Sequence, residues 1–261
     1  IEAEEKWALK KEELEKKIRK SSFSMDKIQK IKSISIWIFI VPFLAVNICL
    51  LLINEFHWVF PNQEDIIHNA FPYFDGQASI SRTVRPYPSW LIFKPAMFLT
   101  SFLLIKYWLY SKEIIQHFKS EHKYIKKFVF FGIASAIALI LHSIFLGIKF
   151  EYDLYKLFRR VIMLSFIIFE ITAQTYLVMT LYSLKDDLNK FINKKILKIK
   201  ILLVSLLVIV ALICIPIISL PGNNFLGLNL KFLKHGLEWN YFLGVITFYL
   251  LTFFMWKKNK N

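Results

Sequence analysis

The sequence predicts an all-α, polytopic membrane bundle of six transmembrane helices, with both termini cytoplasmic and a long first extracytoplasmic loop. Three observations lead there. The 261 residues are 56% hydrophobic and include 26 phenylalanines, whereas an ordinary soluble domain is roughly 45–50% apolar. The apolar residues fall in six long runs rather than in period-2 or amphipathic patterns, and a run of about 18 or more is long enough to cross a bilayer. Finally, lysines sit in short blocks at the ends of alternate runs, where topology-setting charges belong.

The expected spans are residues 34–54, 90–110, 128–148, 161–183, 201–220 and 237–256. Orientation follows from the segments between them. Lys112, Lys119, Lys123, Lys126 and Lys127 follow the second span, and Lys185, Lys190, Lys194, Lys195, Lys198 and Lys200 follow the fourth. Lys27, Lys30 and Lys32 precede the first span, and Lys257, Lys258 and Lys260 follow the last. Alternating spans put all of these on one side, which the positive-inside rule makes cytoplasmic. Loop 149–160 opposes the trend with Lys149, Lys156, Arg159 and Arg160, partly offset by Glu151 and Asp153. Residues 55–89 form the one long connection. They are rich in proline and aromatic residues, and are expected to pack over the outer end of the bundle.

Residues 1–24 differ from the rest. Glu2/Lys6, Glu12/Lys16, Glu13/Lys17 and Glu15/Arg19 are acid-first i,i+4 pairs, the favourable helical order. This segment reads as an added helix ahead of Met25 or as a native cytosolic coil, and residues 25–261 as the transmembrane domain.

The net charge of +15 is accounted for by topology and by anionic headgroups at the cytoplasmic leaflet. No basic-aromatic reading motif accompanies it, so nucleic acid is not an expected partner. Cys49 and Cys214 lie within apolar runs and read as buried free thiols. No metal-spaced His/Asp set, phosphate loop or hydrolase elbow is present, and neither metal nor cofactor is expected.

Ionisable residues inside spans are costly and so are functional candidates. Four stand out: Lys94, His142, Glu170 and Glu238. At about 1.5 Å of rise per residue, Lys94 lies roughly 24 Å above the cytoplasmic end, Glu238 roughly 27 Å and His142 roughly 21 Å. Three groups at nearly one depth predict a shared polar pocket opening to the outer leaflet. His235 is three residues from Glu238 and falls on the same helix face. Glu238, His235 and His142 are therefore the candidate acid–base residues. Arg82, Arg85 and Lys94 are candidates for holding a phosphate-bearing headgroup, beside Ser79, Ser81 and Trp239. Ser79, Ser81, His57 and His68 also offer a loop nucleophile and base. Glu170, nearer the midplane, must be protonated, paired or wet. The same residues also fit a static ion-pair network, with Lys94 paired to Glu238.

Two stretches resemble the Frag/DRAM/Sfk membrane family. The run Ala78-Ser-Ile-Ser-Arg-Thr-Val-Arg-Pro-Tyr-Pro-Ser-Trp-Leu-Ile-Phe-Lys94 is similar to its loop-to-second-helix motif, a Ser-x-Ser element followed by a proline-led aromatic entry. His235-Gly-Leu-Glu238-Trp239, then Phe248-Tyr-Leu-Leu-Thr-Phe-Phe, resembles its last helix. The likeness covers about residues 30–256 and is strongest to the Golgi GPI lipid-remodelling factor and the Cwh-type remodelling proteins. It implies acyl-chain remodelling of GPI or a related phospholipid at the luminal or outer leaflet, with a membrane phospholipid or glycolipid as partner. The setting implied is ER or Golgi in a eukaryote and the plasma membrane otherwise. A non-enzymatic lipid-binding scaffold, acting on lipid distribution or autophagy-type membrane processes, is the alternative it implies. The chain departs from the family's pattern by lacking the glycine after Ser-x-Ser, and by carrying Glu170 in a fourth span without the usual histidine.

Overall fold

The computed structural model describes residues 2–62, 64, 66–148, 153–219, 224–225 and 228–257; before Asp26 it describes only the side chains of Trp7, Lys10 and Lys11. The charge pairs expected within 1–24, the thiol of Cys214, and Lys149, Glu151, Lys258 and Lys260 lie outside that description, as do the side chains of Asp153 and Lys156.

Six helices are long and apolar enough to cross a membrane: Asp26–Glu55, Ser89–Phe118, Ile125–Phe145, Leu157–Ser183, Lys194–Ile213 and Leu230–Met255. They belong to α1 (Glu2–Glu55), α4 (Ser89–Phe118), α5 (Ile125–Phe145), α6 (Asp153–Ser183), α7 (Lys194–Ser219) and α8 (Leu230–Met255). Two short helices, α2 (Pro72–Asp75) and α3 (Ile80–Val84), lie in the first loop, and a two-residue hairpin, Asn224–Phe225 with Leu228–Asn229, precedes α8. Each long helix packs on the next in chain order, and α8 returns to α1, which closes the six into a ring.

Helix and apolar run differ at their ends for a local reason. Apolar composition marks where lipid begins, whereas backbone hydrogen bonding continues into water wherever the side chains favour a helix. Thus α1 begins at Glu2, and α4 continues to Phe118. The third span, expected to reach residue 148, stops at Phe145: Leu146 turns extended and Gly147 takes φ +84°. Much of the 149–160 segment, expected as a loop, is instead the first turn or two of α6.

Close packing in lipid relies on small residues that let helix axes approach. Gly132, Ser135, Ala136, Ala138 and Ser143 are the small residues among those buried on α5. Trp108 of α4, fully buried, lies over Gly132, where an added Cβ would sit inside the indole. Most buried hydroxyls bond the carbonyl four residues earlier in their own helix, as Thr100 does to Ala96 and Ser101 to Met97, both at 2.8 Å. That arrangement removes a donor that lipid cannot satisfy.

One end of the bundle carries the lysine blocks. Lys32 Nζ donates to the Trp256 carbonyl at 2.6 Å, capping the end of α8 with a cation. The Asn193 N–H donates to the Met255 carbonyl at 2.8 Å, and Lys27 pairs with Glu113. The start of the first span and the end of the last therefore meet at this basic end. The α4–α5 turn is tied there through His122 Nε2 and Ser183 Oγ, 2.9 Å apart.

Gly132→Ala is expected to destabilise the protein by about 1–3 kcal/mol through overpacking against Trp108, seen as a lowered Tm in detergent. A pH effect is expected at His122, whose pKa is lowered by burial and by Lys119 and Lys123. Folding favours the neutral ring, so its contribution is complete above the ordinary imidazole value and falls as pH drops below it. A Tm that declines on acidification less steeply in His122→Gln than in the parent would show this.

Candidate functional site

The first loop folds over the end opposite the lysine blocks, as the proline and aromatic content predicts, and one face of α8 holds it there. His235, Glu238 and Trp239 recur at i, i+3 and i+4 and so point the same way. His235 Nδ1 lies 2.8 Å from the Gly76 carbonyl, and Trp239 Nε1 donates to the Ala78 carbonyl at 2.8 Å. Glu238 accepts from the backbone N–H groups of Ile80 and Ser81, the first turn of α3. Asn240 Nδ2 donates to the Tyr73 carbonyl at 2.7 Å. Gly76 has φ +62°, and a Cβ there would meet the Phe232 carbonyl, so only glycine fits.

α1 grips the same loop from the other side. Asn54 Nδ2 donates to the Ala70 carbonyl at 2.8 Å, and Asn47 Nδ2 donates to the Tyr73 hydroxyl at 3.1 Å. Burial pushes the Tyr73 phenol above its ordinary pKa, which keeps it a neutral hydroxyl against Asn47. Its ring meets Trp239 edge-on at 4.9 Å.

The expected pocket of Lys94, Glu238 and His142 divides into two. Lys94 does not pair with Glu238: its Nζ lies 3.4 Å from the Ile144 carbonyl and 5.5 Å from the Trp90 ring centroid. It caps the last turn of α5, where a cation meets the negative end of the helix dipole. His142 occupies that same turn, within electrostatic reach of Arg159 of α6 and of Arg85. Arg85 Nη2 donates to Ser81 Oγ at 2.8 Å, and its backbone passes beside Gly147. Arg82 lies instead toward His235, together with Lys231. Ser79 is committed as the N-cap of α3, accepting from the Arg82 N–H at 3.1 Å.

The loop histidines form no nucleophile–base pair with those serines among the described contacts. The His57 and His68 rings meet edge-on at 4.6 Å. Among the described residues no group of three or more metal-ligating side chains is present.

Arg159 was counted from sequence only as a charge in a loop. Its Nε is buried without a hydrogen-bond partner among the described residues, and its guanidinium lies 5.9 Å from the Tyr155 ring centroid. Tyr155 in turn donates to the Phe145 carbonyl at 3.0 Å. Around this cluster Leu141, Ile144, Leu154, Leu157 and Phe158 are exposed apolar side chains.

Comparison with protein-family models, with curated proteins and with solved structures found no match. The geometry of the bundle is therefore the ground for a functional reading.

A third polar centre lies in the middle of the bundle. Glu170, predicted to need a partner, has three: Ser135 Oγ donates to it at 2.6 Å, Gln174 Nε2 at 3.0 Å, and Tyr249 through its hydroxyl. Lys200, read from sequence as a loop charge, is fully buried on α7 and donates to Thr252 Oγ1. The signal that would have found it is periodicity: Leu197, Lys200, Val204 and Leu207 recur at i, i+3, i+7 and i+10, and all four are buried.

Trp239→Phe is expected to cost about 1–3 kcal/mol by leaving the buried Ala78 carbonyl without its donor. Limited proteolysis would show it as faster cleavage in residues 70–88, with the six long helices unchanged by circular dichroism.

Proposed function

We propose that this protein is a lipid-handling integral membrane protein that seats the anionic headgroup of a phospholipid among Arg85, His142, Arg159 and Lys94. The observation carrying the reading is the buried Nε of Arg159, which has no hydrogen-bond partner among the described residues and lies near His142, at the turn that Lys94 and Arg85 also approach. A buried guanidinium donor without an acceptor is costly, and a phosphate oxygen would supply a charge-assisted bond. Acyl chains of such a lipid would lie along Leu141, Ile144, Leu157 and Phe158. The likeness to the Frag/DRAM/Sfk family, whose members act on lipids, supports the same class. The lysine blocks support a cytoplasmic placement of the opposite end, which puts this headgroup in the outer or luminal leaflet.

Of the two versions of this reading, the non-enzymatic one has more support. Acyl-chain remodelling of GPI or a related phospholipid would ask acid–base work of Glu238 and His235. Glu238 is occupied by two backbone N–H groups and His235 by the Gly76 carbonyl, so both side chains already serve to hold the loop.

Native mass spectrometry of the purified full chain tests the proposal. The parent is expected to retain phosphatidylglycerol in preference to phosphatidylcholine, and the Arg85→Gln/Arg159→Gln double variant to lose that preference while keeping its fold. Equal retention of phosphatidylglycerol by the well-folded double variant would sink it.

A further inference from the structure

The headgroup cluster makes no use of the two ionisable side chains at the centre of the bundle. Glu170 is 1% exposed and Lys200 is 0% exposed. Each belongs to a hydrogen-bonded web, and the two webs meet. On one side Tyr249 donates to Glu170, which also accepts from Ser135 and Gln174. On the other, Lys200 donates to Thr252 Oγ1, which lies 3.2 Å from the Tyr107 hydroxyl. The rings of Tyr107 and Tyr249 meet edge-on with centroids 4.9 Å apart. Five hydroxyl, carboxyl and amine groups from four helices thus form a nearly continuous path through the core.

At one end the path meets a small cavity. A cavity of about 10 Å³, room for a single water, lies between α1, α4, α6 and α8 near the basic end and is lined by Ile31, Tyr107, Ser111, Leu181, Met255 and Trp256. Ser111 Oγ lies beside the Tyr107 hydroxyl and is buried without a hydrogen-bond partner among the described residues. A hydroxyl with spare capacity, facing a water-sized space, is what an entry to a proton path requires. Toward the opposite end, one and two turns along α6 from Glu170, come Phe166 and Ile162, and α5 presents Leu139. The polar path therefore stops at Glu170.

We propose that this network is a one-sided proton relay, which moves a proton between Lys200 and Glu170 and exchanges it with the compartment at the basic end through the Ser111 cavity. The transfer balances without a further reactant. The Lys200 ammonium gives a proton to the Thr252 oxygen; the Thr252 hydroxyl, which otherwise donates to the Phe248 carbonyl at 3.0 Å, turns and passes its own proton to the Tyr107 oxygen. Tyr107 passes its proton to Tyr249, and Tyr249 passes its own to Glu170 Oε1. Ammonium and carboxylate become amine and carboxylic acid, and total charge is unchanged. The step between the two tyrosines lacks a direct hydrogen bond and is the gate.

The arrangement of charges is consistent with this. The titratable groups that face Glu170 are Tyr249 of α8, Tyr107 of α4 and, beyond Thr252, Lys200 of α7. α5 contributes only the hydroxyl of Ser135, and the nearest cation of α1, Lys32, is held at the Trp256 carbonyl. In lipid a lone buried charge is expensive, whereas a pair that appears and vanishes together is tolerated. Phe248 places its ring 3.7 Å from Lys200 Nζ, a cation–π contact in the buried core.

Infrared difference spectroscopy of the full chain in lipid nanodiscs tests the relay. The parent is expected to show a carboxylic-acid band of a dry environment whose intensity follows pH, and Glu170→Gln to lose it. Lys200→Met removes the partner charge and is expected to leave the band present at every pH. Tyr107→Phe keeps the ring contacts and is expected to lose the band's rapid hydrogen–deuterium exchange. No Glu170-dependent band in the parent at any pH would overturn the proposal. So would a band that titrates and exchanges identically in Lys200→Met and Tyr107→Phe. Should Glu170→Gln fail to fold, the exchange rates of the parent and Tyr107→Phe decide the matter alone.

Discussion

Within the hydrocarbon layer no water is present to complete a hydrogen bond, so every polar atom of the six spans must find its partner in protein. The bundle's polar architecture follows from that requirement. Hydroxyls of Thr100, Ser101, Ser143 and Thr180 turn back to carbonyls of their own helices. Asn47 bonds Phe43 and Tyr73 together. Glu170 gathers three donors from three helices. Lys32 and Lys94 reach carbonyls near the ends of α8 and α5, the positions where a cation is worth most to a helix. Among the described residues a few buried polar atoms have no partner, Arg159 Nε at the loop end and Ser111 Oγ at the basic end among them.

The first loop shows how the same requirement separates groups that helical rise alone would place at one depth. A loop laid over the mouth of a membrane bundle presents backbone carbonyls and amides to a poorly hydrated surface. Those groups are met by His235, Glu238, Trp239 and Asn240 from α8 and by Asn54 from α1. The side chains on that part of α8 are consequently spent on holding the loop. Arg85, Lys94 and Arg159 gather instead at the junction of α3, α5 and α6, near His142. Loop clamp and cation cluster are thus two products of one arrangement, joined through Ser81: its N–H goes to Glu238 and its hydroxyl to Arg85.

Sequence and tertiary structure differ in what each settles, and the residues show why. The six spans, the folded first loop and the gathering of lysines at one end were legible, because hydrophobic length and charge blocks are properties of short continuous segments. Helical rise is local too, and it is the ground for expecting Glu238, Lys94 and His142 at one level. The azimuth of each helix was not. Lys94 faces α5 rather than Glu238, and this depends on which neighbours α4 packs against. Lys200 was indistinguishable by composition from Lys194, Lys195 and Lys198, three lysines that precede it in the same block. Only the rotation of α7 against α8 puts it in the core beside Thr252. Arg159 was hidden for a similar reason, since α6 begins earlier than its apolar run and carries that side chain against His142. By itself, then, the sequence determined which segments form helices long and apolar enough to cross a membrane. The tertiary structure alone decided which of their polar groups meet, because helix rotation is set by packing between segments distant in the chain.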